Sequence, residues 1–257
     1  MSEMKASNIR NAIVNLLFPP VCIVCGDRFS ALSYIGGVNC VCDKCRTSYE
    51  AMFSEVCHGC NKSVSSCSCG IKVANHELSP MIKCFYYKPS RESYIGNRVI
   101  FALKHTDDKR IAKMLAQELA ISLKDVLKSE GGASNECVFT FVPRRKSAIH
   151  KDGFDQGLRL AKYSARYCGS GYKFRRLFIR SNSREQKKLK LGGRISNLEA
   201  SLTLRPFAKR ALAGKTVVLV DDVVTSGATM RAAEKLLLSL GAKQVIFACV
   251  ARTLSDK

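Results

Sequence analysis

Val217-Val-Leu-Val-Asp221-Asp222-Val-Val-Thr225-Ser226-Gly227-Ala228-Thr229 is the most informative stretch of the chain. Four apolar, mostly β-branched residues predict a central strand buried on both faces, as in a parallel sheet. The strand ends on two adjacent carboxylates. A loop of small residues then opens a helix predicted over Ala228 to Leu240, with Ala232, Ala233, Leu236, Leu237 and Leu240 on its core face and Gly241 as its terminator. Thr225, Ser226 and Thr229 offer hydroxyls, and Gly227 allows close backbone approach. The free N–H groups at the helix start favour an anion. Two acids beside an anion cradle make chemical sense for a sugar phosphate: the loop takes the phosphate, and the carboxylates accept hydrogen bonds from ribose hydroxyls. There is no Gly-Lys-Ser/Thr of a Walker loop.

Working outward, Val245 to Val250 predicts another buried strand and Cys137 to Val142 a third, ended by Pro143 and followed by Arg144-Arg145-Lys146. Helices are predicted over Gly157 to Cys168 and from a cap at Thr106-Asp107, with an apolar stripe of Ile111, Leu115, Leu119, Leu123 and Leu127. Strands alternating with helices predict an α/β fold with a parallel sheet.

The charge and the cysteines are both segregated. The 257 residues carry 42 Lys+Arg, 21 Asp+Glu and 13 Cys. Residues 1–70 hold six basic and five acidic residues, so nearly the whole excess of +21 lies beyond residue 70. Residues 144–215 alone hold 20 Lys/Arg against four acids. This is part solvated surface and part anion site, or a track for a nucleic-acid backbone. Aromatics such as Phe154, Tyr163 and Phe178 are thinly spread there. No apolar run approaches the ~18 residues of a membrane span, and Lys5 to Phe18 lacks the cleavage site of a signal peptide.

Nine cysteines lie between Cys22 and Cys69. Cys22-x2-Cys25 and Cys42-x2-Cys45, 16 residues apart, have the spacing of a four-thiolate zinc site. Cys57-x2-Cys60 and Cys67-x-Cys69 form a compressed second set. Gly26 falls where a knuckle needs positive φ. His58 is a bystander, and Cys40 is a poorer substitute for Cys42. The competing reading is a disulfide scaffold, which needs an oxidising compartment. Cys84, Cys137, Cys168 and Cys249 read as buried thiols. A module of this size has little core, so metal would supply its folding energy.

The Asp-Asp loop resembles the thirteen-residue signature of type I phosphoribosyltransferases. Further pieces resemble the ComF/GntX family of DNA-uptake and DNA-utilisation proteins: Pro19-Pro20-Val-Cys22-x2-Cys25, Ile100-Phe-Ala-Leu-Lys104, Val142-Pro143 leading to Gly153-Phe154-x-Gln156, and Gln186-x2-Leu189-x4-Arg194-x2-Asn197. The resemblance implies a double zinc-ribbon module over 15–70 and a phosphoribosyltransferase-type domain over 80–257. It implies that Asp221 and Asp222 hold ribose and that Thr225, Ser226, Gly227, Ala228 and Thr229 hold the 5-phosphate. Arg144, Arg145 and Lys146 would meet pyrophosphate and its Mg²⁺, and Arg184 to Asn197, with Arg194, would form a hood. It further implies phosphoribosyl pyrophosphate as ligand, and a cytoplasmic role with single-stranded DNA and a helicase-like partner. The zinc module is expected to be a detached interaction platform. Two departures stand out. The family pattern Arg-Gly-Phe-Asn-Gln is here Asp152-Gly153-Phe154-Asp155-Gln156, and the loop after Pro143 carries Arg144 and Arg145 where a His is usual. Thr225 stands where hypoxanthine-type enzymes carry an acid, which argues against purine salvage. No general base is evident. An enzyme acting on an unidentified acceptor and a non-catalytic nucleotide-sensing protein both remain open.

Overall fold

A computed structural model describes residues 19–29, 40–70, 72–73, 76–77, 80–129, 133–180 and 201–254. In the cysteine module, the Cys22-x2-Cys25 and Cys57-x2-Cys60 knuckles are each closed by one antiparallel bridge, Val21 with Arg28 and Val56 with Ser63. The two turns are built alike. Gly26 N donates to Cys22 O, and Asn61 N donates to Cys57 O. Both Gly26 (φ 83°) and Asn61 (φ 57°) are left-handed, a conformation Gly and Asn tolerate best. Helix α1 (Asp43–Ala51) and a short 3-10 turn (Val64–Ser66) complete the module, and the strand pair β1 (Lys72–Val73) and β2 (His76–Glu77) follows it.

The remaining elements are β3 (Met81–Tyr87), α2 (Ile95–His105), α3 (Lys109–Ser129), β4 (Cys137–Phe141), α4 (Lys146–Asp152), α5 (Gln156–Cys168), β5 (Lys173–Phe174), β6 (Phe178–Arg180), β7 (Leu202–Leu204), α6 (Ala208–Leu212), β8 (Thr216–Val224), α7 (Ala228–Ser239) and β9 (Gln244–Thr253). A five-stranded sheet runs in the order β3-β9-β8-β4-β5, every pairing parallel. The central strand β8 alternates between two cores. Val218 and Val220 face the layer of α3 and α5; Val217 and Leu219 face the side of α6 and α7. Small residues let α3 and α5 pack closely, with Ser164 Oγ donating to Ala116 O (3.5 Å).

Three expectations need adjustment. The strand does not stop at Val220: β8 carries both aspartates inside it and ends at Val224. The start of α3 is held by Asp108, whose Oδ1 accepts from Arg110 N (2.8 Å), rather than by Thr106 or Asp107. The module is not detached. Val41, Tyr49, Met52 and Val64 share one hydrophobic cluster with Ile82, Phe85 and Leu115. Phe53 stands edge-on between Tyr49 (5.1 Å) and Phe85 (5.8 Å). Lys88 pairs with Glu55 at 2.6 Å, Arg98 Nη1 donates to Val24 O (2.9 Å), and Met81 N donates to Ser68 O (3.1 Å). The physical reason is size: a metal-bound loop module exposes apolar side chains that it cannot bury alone.

Candidate functional site

Parallel pairing with β4 and β9 drives β8 through the sheet, so its C-terminal end presents Asp221 and Asp222 where ligands of open α/β sheets bind. The two acids have different surroundings. Asp222 is buried. Its Oδ2 accepts from Gln156 Nε2 (2.8 Å) and faces Lys104 Nζ at 3.7 Å, while Oδ1 accepts from Val223 N (2.7 Å). Asp221 Oδ1 accepts from Asp222 N (2.8 Å). Burial holds the Asp221 carboxyl well above the usual carboxylate range. The charge of Asp222 pushes the same way, and Lys104 opposes it. Gln156 Oε1 is buried without a partner among the described residues.

Beyond Val224, Thr225 and Ser226 are exposed. Gly227 takes a left-handed turn (φ 74°), and Ala228 and Thr229 open the twelve-residue α7. The helix start that follows offers amide donors of the kind that favour an anion, and Ala228 N donates to Ser226 Oγ (3.5 Å). A narrow recess beside it is lined by Val142, Arg180, Ser201, Leu202, Thr229 and Ala232.

The cations after Pro143 do not act as one group. Arg144 is engaged within its own loop: Nη2 pairs with Asp152 at 2.6 Å, Nη1 reaches Phe154 O (3.4 Å), and its backbone N donates to Asp155 Oδ2 (3.2 Å). Asp155 also caps α5 by accepting from Leu158 N (3.2 Å). The departures from the family pattern are therefore complementary: an arginine in the loop meets an acid at position 152. Arg145 and Lys146 are exposed at the start of α4. Sequence reasoning missed Arg180, which lay within a stretch dense in basic residues. It is half-buried, and its Nη1 donates to Pro143 O (3.2 Å). Burial lowers its pKa, the charge of Arg145 adds to this, and Asp221 opposes it. Arg194 and the stretch Arg184 to Asn197 lie outside the described residues. The antiparallel strands β6 and β7 stand on either side of that segment.

Both cysteine sets come together: Cys22, Cys25, Cys42 and Cys45 in one group, Cys57, Cys60, Cys67 and Cys69 in another, each with its sulfurs within 4.8 Å of one another. Cys25 and Cys42 sulfurs are 3.7 Å apart, Cys60 and Cys67 3.4 Å, and Cys57 and Cys67 3.2 Å. These separations are near the edge, about 3.8 Å, of a tetrahedron with zinc–sulfur bonds of about 2.3 Å. Cys22 and Cys67 sulfurs also accept backbone amides, Cys42 N (3.3 Å) and Cys69 N (3.3 Å) respectively. Burial pushes the Cys57 thiol up, but the Gly59 amide and donors from Cys67, Tyr86 and Cys60 outweigh it and bring it down to about 6. Burial likewise opposes the amides of Cys25, Cys42 and Val24, which bring Cys22 to about 7. Burial pushes Cys45 up to about 12, and the Cys67 hydrogen bond together with burial does the same for Cys69, so it is the close grouping of four sulfurs that fits zinc. Neither His58 nor Cys40 belongs to a group; Cys40 is buried, and burial pushes its thiol up to about 12. Of the other four thiols, Cys84, Cys137 and Cys249 are buried and Cys168 is half-buried.

Residues 156–257 match the phosphoribosyl transferase domain family. A phosphoribosyltransferase-type α/β domain behind a two-cluster cysteine module is thus the class that the fold and sequence define. Along most of its length the chain is similar to competence protein ComFC of Streptococcus pneumoniae, 24% identical over 241 residues that cover 87% of this chain and 96% of that protein. It is also similar to DNA utilization protein YhgH of Salmonella typhi, 26% identical over 227 residues covering 83% and 97%. These likenesses, with the phosphoribosyl transferase domain match, support a ComF-type protein. Among solved structures, the glutamine phosphoribosylpyrophosphate amidotransferase of B. subtilis has a TM-score of 0.36 at 18% identity, over 58% of this chain and 30% of that one. The chain thus spans less than a third of that enzyme's length. No helix among the described residues is long and apolar enough to cross a membrane.

Proposed function

We propose that this protein binds phosphoribosyl pyrophosphate at the C-terminal end of β8 and serves DNA uptake in the cytoplasm, transferring the phosphoribosyl group to an acceptor. One observation carries the reading: β8 delivers Asp221 and Asp222 directly to a left-handed Gly227 that opens α7. Asp221 holds the ribose hydroxyls, with Asp222 fixed behind it by Gln156 and Lys104. Thr225, Ser226, Gly227, Ala228 and Thr229 cradle the 5-phosphate, and Arg145, Lys146 and Arg180 face the leaving group, with Arg194 in the hood. In the transfer, the bond from ribose C1 to pyrophosphate breaks and a bond to the acceptor forms. The chain's part is positioning, charge neutralisation and exclusion of water. Mg²⁺, carried by pyrophosphate, would neutralise part of its charge.

The ligand with Mg²⁺ should raise the melting temperature, since it binds the folded state alone. Asp221→Asn combined with Asp222→Asn should abolish the rise; an unchanged rise would move the site elsewhere. In cells, the deletion strain should lose transformation, and the double variant should fail to restore it. Single-stranded DNA and a helicase-like protein are the partners this role implies, supported by the basic stretch 144–215 and by the names of the relatives.

A second reading is a non-catalytic nucleotide sensor that contacts DNA. It is favoured by the saturation of Asp222 by protein donors. Pyrophosphate release in the presence of some acceptor separates the two readings. Nucleobase salvage is disfavoured by Thr225. A strain that transforms normally but has lost salvage would reinstate it.

A further inference from the structure

Lys83 is fully buried in the middle of β3, an edge strand of the central sheet. Its ammonium is among the most costly groups to bury without a partner. Yet no carboxylate pairs with it among the described residues. Its Nζ instead donates to Cys67 Sγ (3.2 Å) and to Cys67 O (3.4 Å). A second β3 side chain, Tyr86, hydrogen-bonds Cys57 in the same cluster. Among the described residues the first cluster has no counterpart of this contact: the Cys22 sulfur accepts the amides of Val24 and Cys42, the Cys42 sulfur meets that of Cys25, and Cys25 is exposed.

Charge explains the arrangement. Four thiolates around one Zn²⁺ leave a net charge of about −2. At an exposed site, water spreads that charge; at a site pressed against the sheet it needs a local counter-charge. Lys83 is the group placed to supply it, through a charge-assisted hydrogen bond to one ligand sulfur. Neither partner is well accommodated alone. Without the metal, Lys83 keeps only the Cys67 carbonyl and sulfur as partners in a fully buried position. Without Lys83, the zinc–thiolate cluster faces an apolar sheet edge.

We infer that Lys83 is an outer-shell residue of the second metal site, Cys57, Cys60, Cys67 and Cys69, and that it joins this metal to the central sheet as one unit. Among the described residues no side chain of the sheet reaches a sulfur of the first site, which meets the rest of the chain through Arg98 at Val24 O and through the apolar cluster around Cys22 and Cys42. The second metal is therefore tied to β3 through one of its ligand sulfurs, and its loss loosens β3.

The zinc-loaded full chain tests this with a chromogenic chelator and hydrogen exchange read by mass spectrometry. In Lys83→Met, one of the two zinc ions should leave at least about tenfold faster than in wild type, as is usual when an outer-shell partner is lost. Lys83→Arg should recover part of the difference. Alkylation mapping should then find Cys67 reactive and Cys22 and Cys42 still protected. If Lys83→Met does not fold, wild type alone decides. On stripping both ions, amides of Met81 to Tyr87 should lose protection; on partial stripping, that loss should track the occupancy of Cys57, Cys60, Cys67 and Cys69. Equal release rates in wild type and Lys83→Met, or full β3 protection in stripped wild type, would overturn the inference.

Discussion

Gly227→Ala isolates the loop that carries the proposed phosphate. Gly227 sits at φ 74°, ψ 0°, as the residue before α7. An L-residue in that conformation costs about 1–2 kcal/mol. For a chain of this size, each kcal/mol corresponds to about 2–4 °C in melting temperature, so the unliganded variant should melt about 2–8 °C lower. Gly241, beyond the other end of α7, supplies the control. It has φ 93°, and an added Cβ there meets nothing within 4 Å, so Gly241→Ala carries the same backbone strain about 18 Å away along the helix. The two variants therefore share the backbone cost in the absence of ligand, and any further loss at the buried Gly227 is read in the same melts. They should differ when phosphoribosyl pyrophosphate and Mg²⁺ are added. At a hundredfold excess over Kd, ligand stabilises the wild type by about 2.7 kcal/mol, and Gly241→Ala should show the full gain. Gly227→Ala can relieve its strain only by turning the loop, which re-aims the first amides of α7, so it should lose most of the gain. Thermal melting with and without ligand reads all four numbers. An equal ligand-induced rise in the two variants would refute the assignment of the phosphate to this loop.

Because burial raises the carboxyl of Asp221, its ionisation weakens the folded state as pH climbs from the ordinary carboxylate value near about 3.9 through the raised one. Unliganded Asp221→Asn should consequently melt above wild type near pH 7, and the gap should close as pH falls; a gap independent of pH would contradict the burial argument. Inorganic pyrophosphate, titrated calorimetrically, should bind more weakly to Arg145→Ala and Arg180→Ala. Arg144→Ala should leave that affinity nearly intact and lower stability instead, since its guanidinium is committed to Asp152; the reverse ranking would place pyrophosphate on Arg144. Elemental analysis should find two zinc ions per chain. A value near one leaves only the first site standing, and less than one, with reactive thiols, removes both.

The elements that could be read from sequence are those whose signal is local. The strand around Val217 to Val220, the stripe from Ile111 to Leu127 and the two cysteine sets each follow from short-range spacing. What stayed hidden depends on long-range contact. Strand β3 has a lysine at its centre, which breaks an apolar pattern; Lys83 is tolerated there because Cys67, sixteen residues earlier, folds back onto it. Asp152 and Arg144 read as two separate departures until α4 brings them together. Arg180 could not be told from its basic neighbours, because only the turn after Pro143 singles it out. The spacing of Lys104 and Gln156 from Asp222 along the chain likewise gave no sign that both meet one carboxylate oxygen.

The bond from Met81 N to Ser68 O has a practical consequence. Strand β3 pairs with β9 on one side only, and the cysteine module lies along its other side. A fragment cut at residue 71 would keep every residue of the proposed ligand site. It would also present an unpaired strand flanked by the bared side chains of Ile82 and Phe85, the kind of edge on which chains stack into aggregates. The phosphoribosyltransferase-type half is therefore not a portable unit, and attempts to express it alone should give insoluble material.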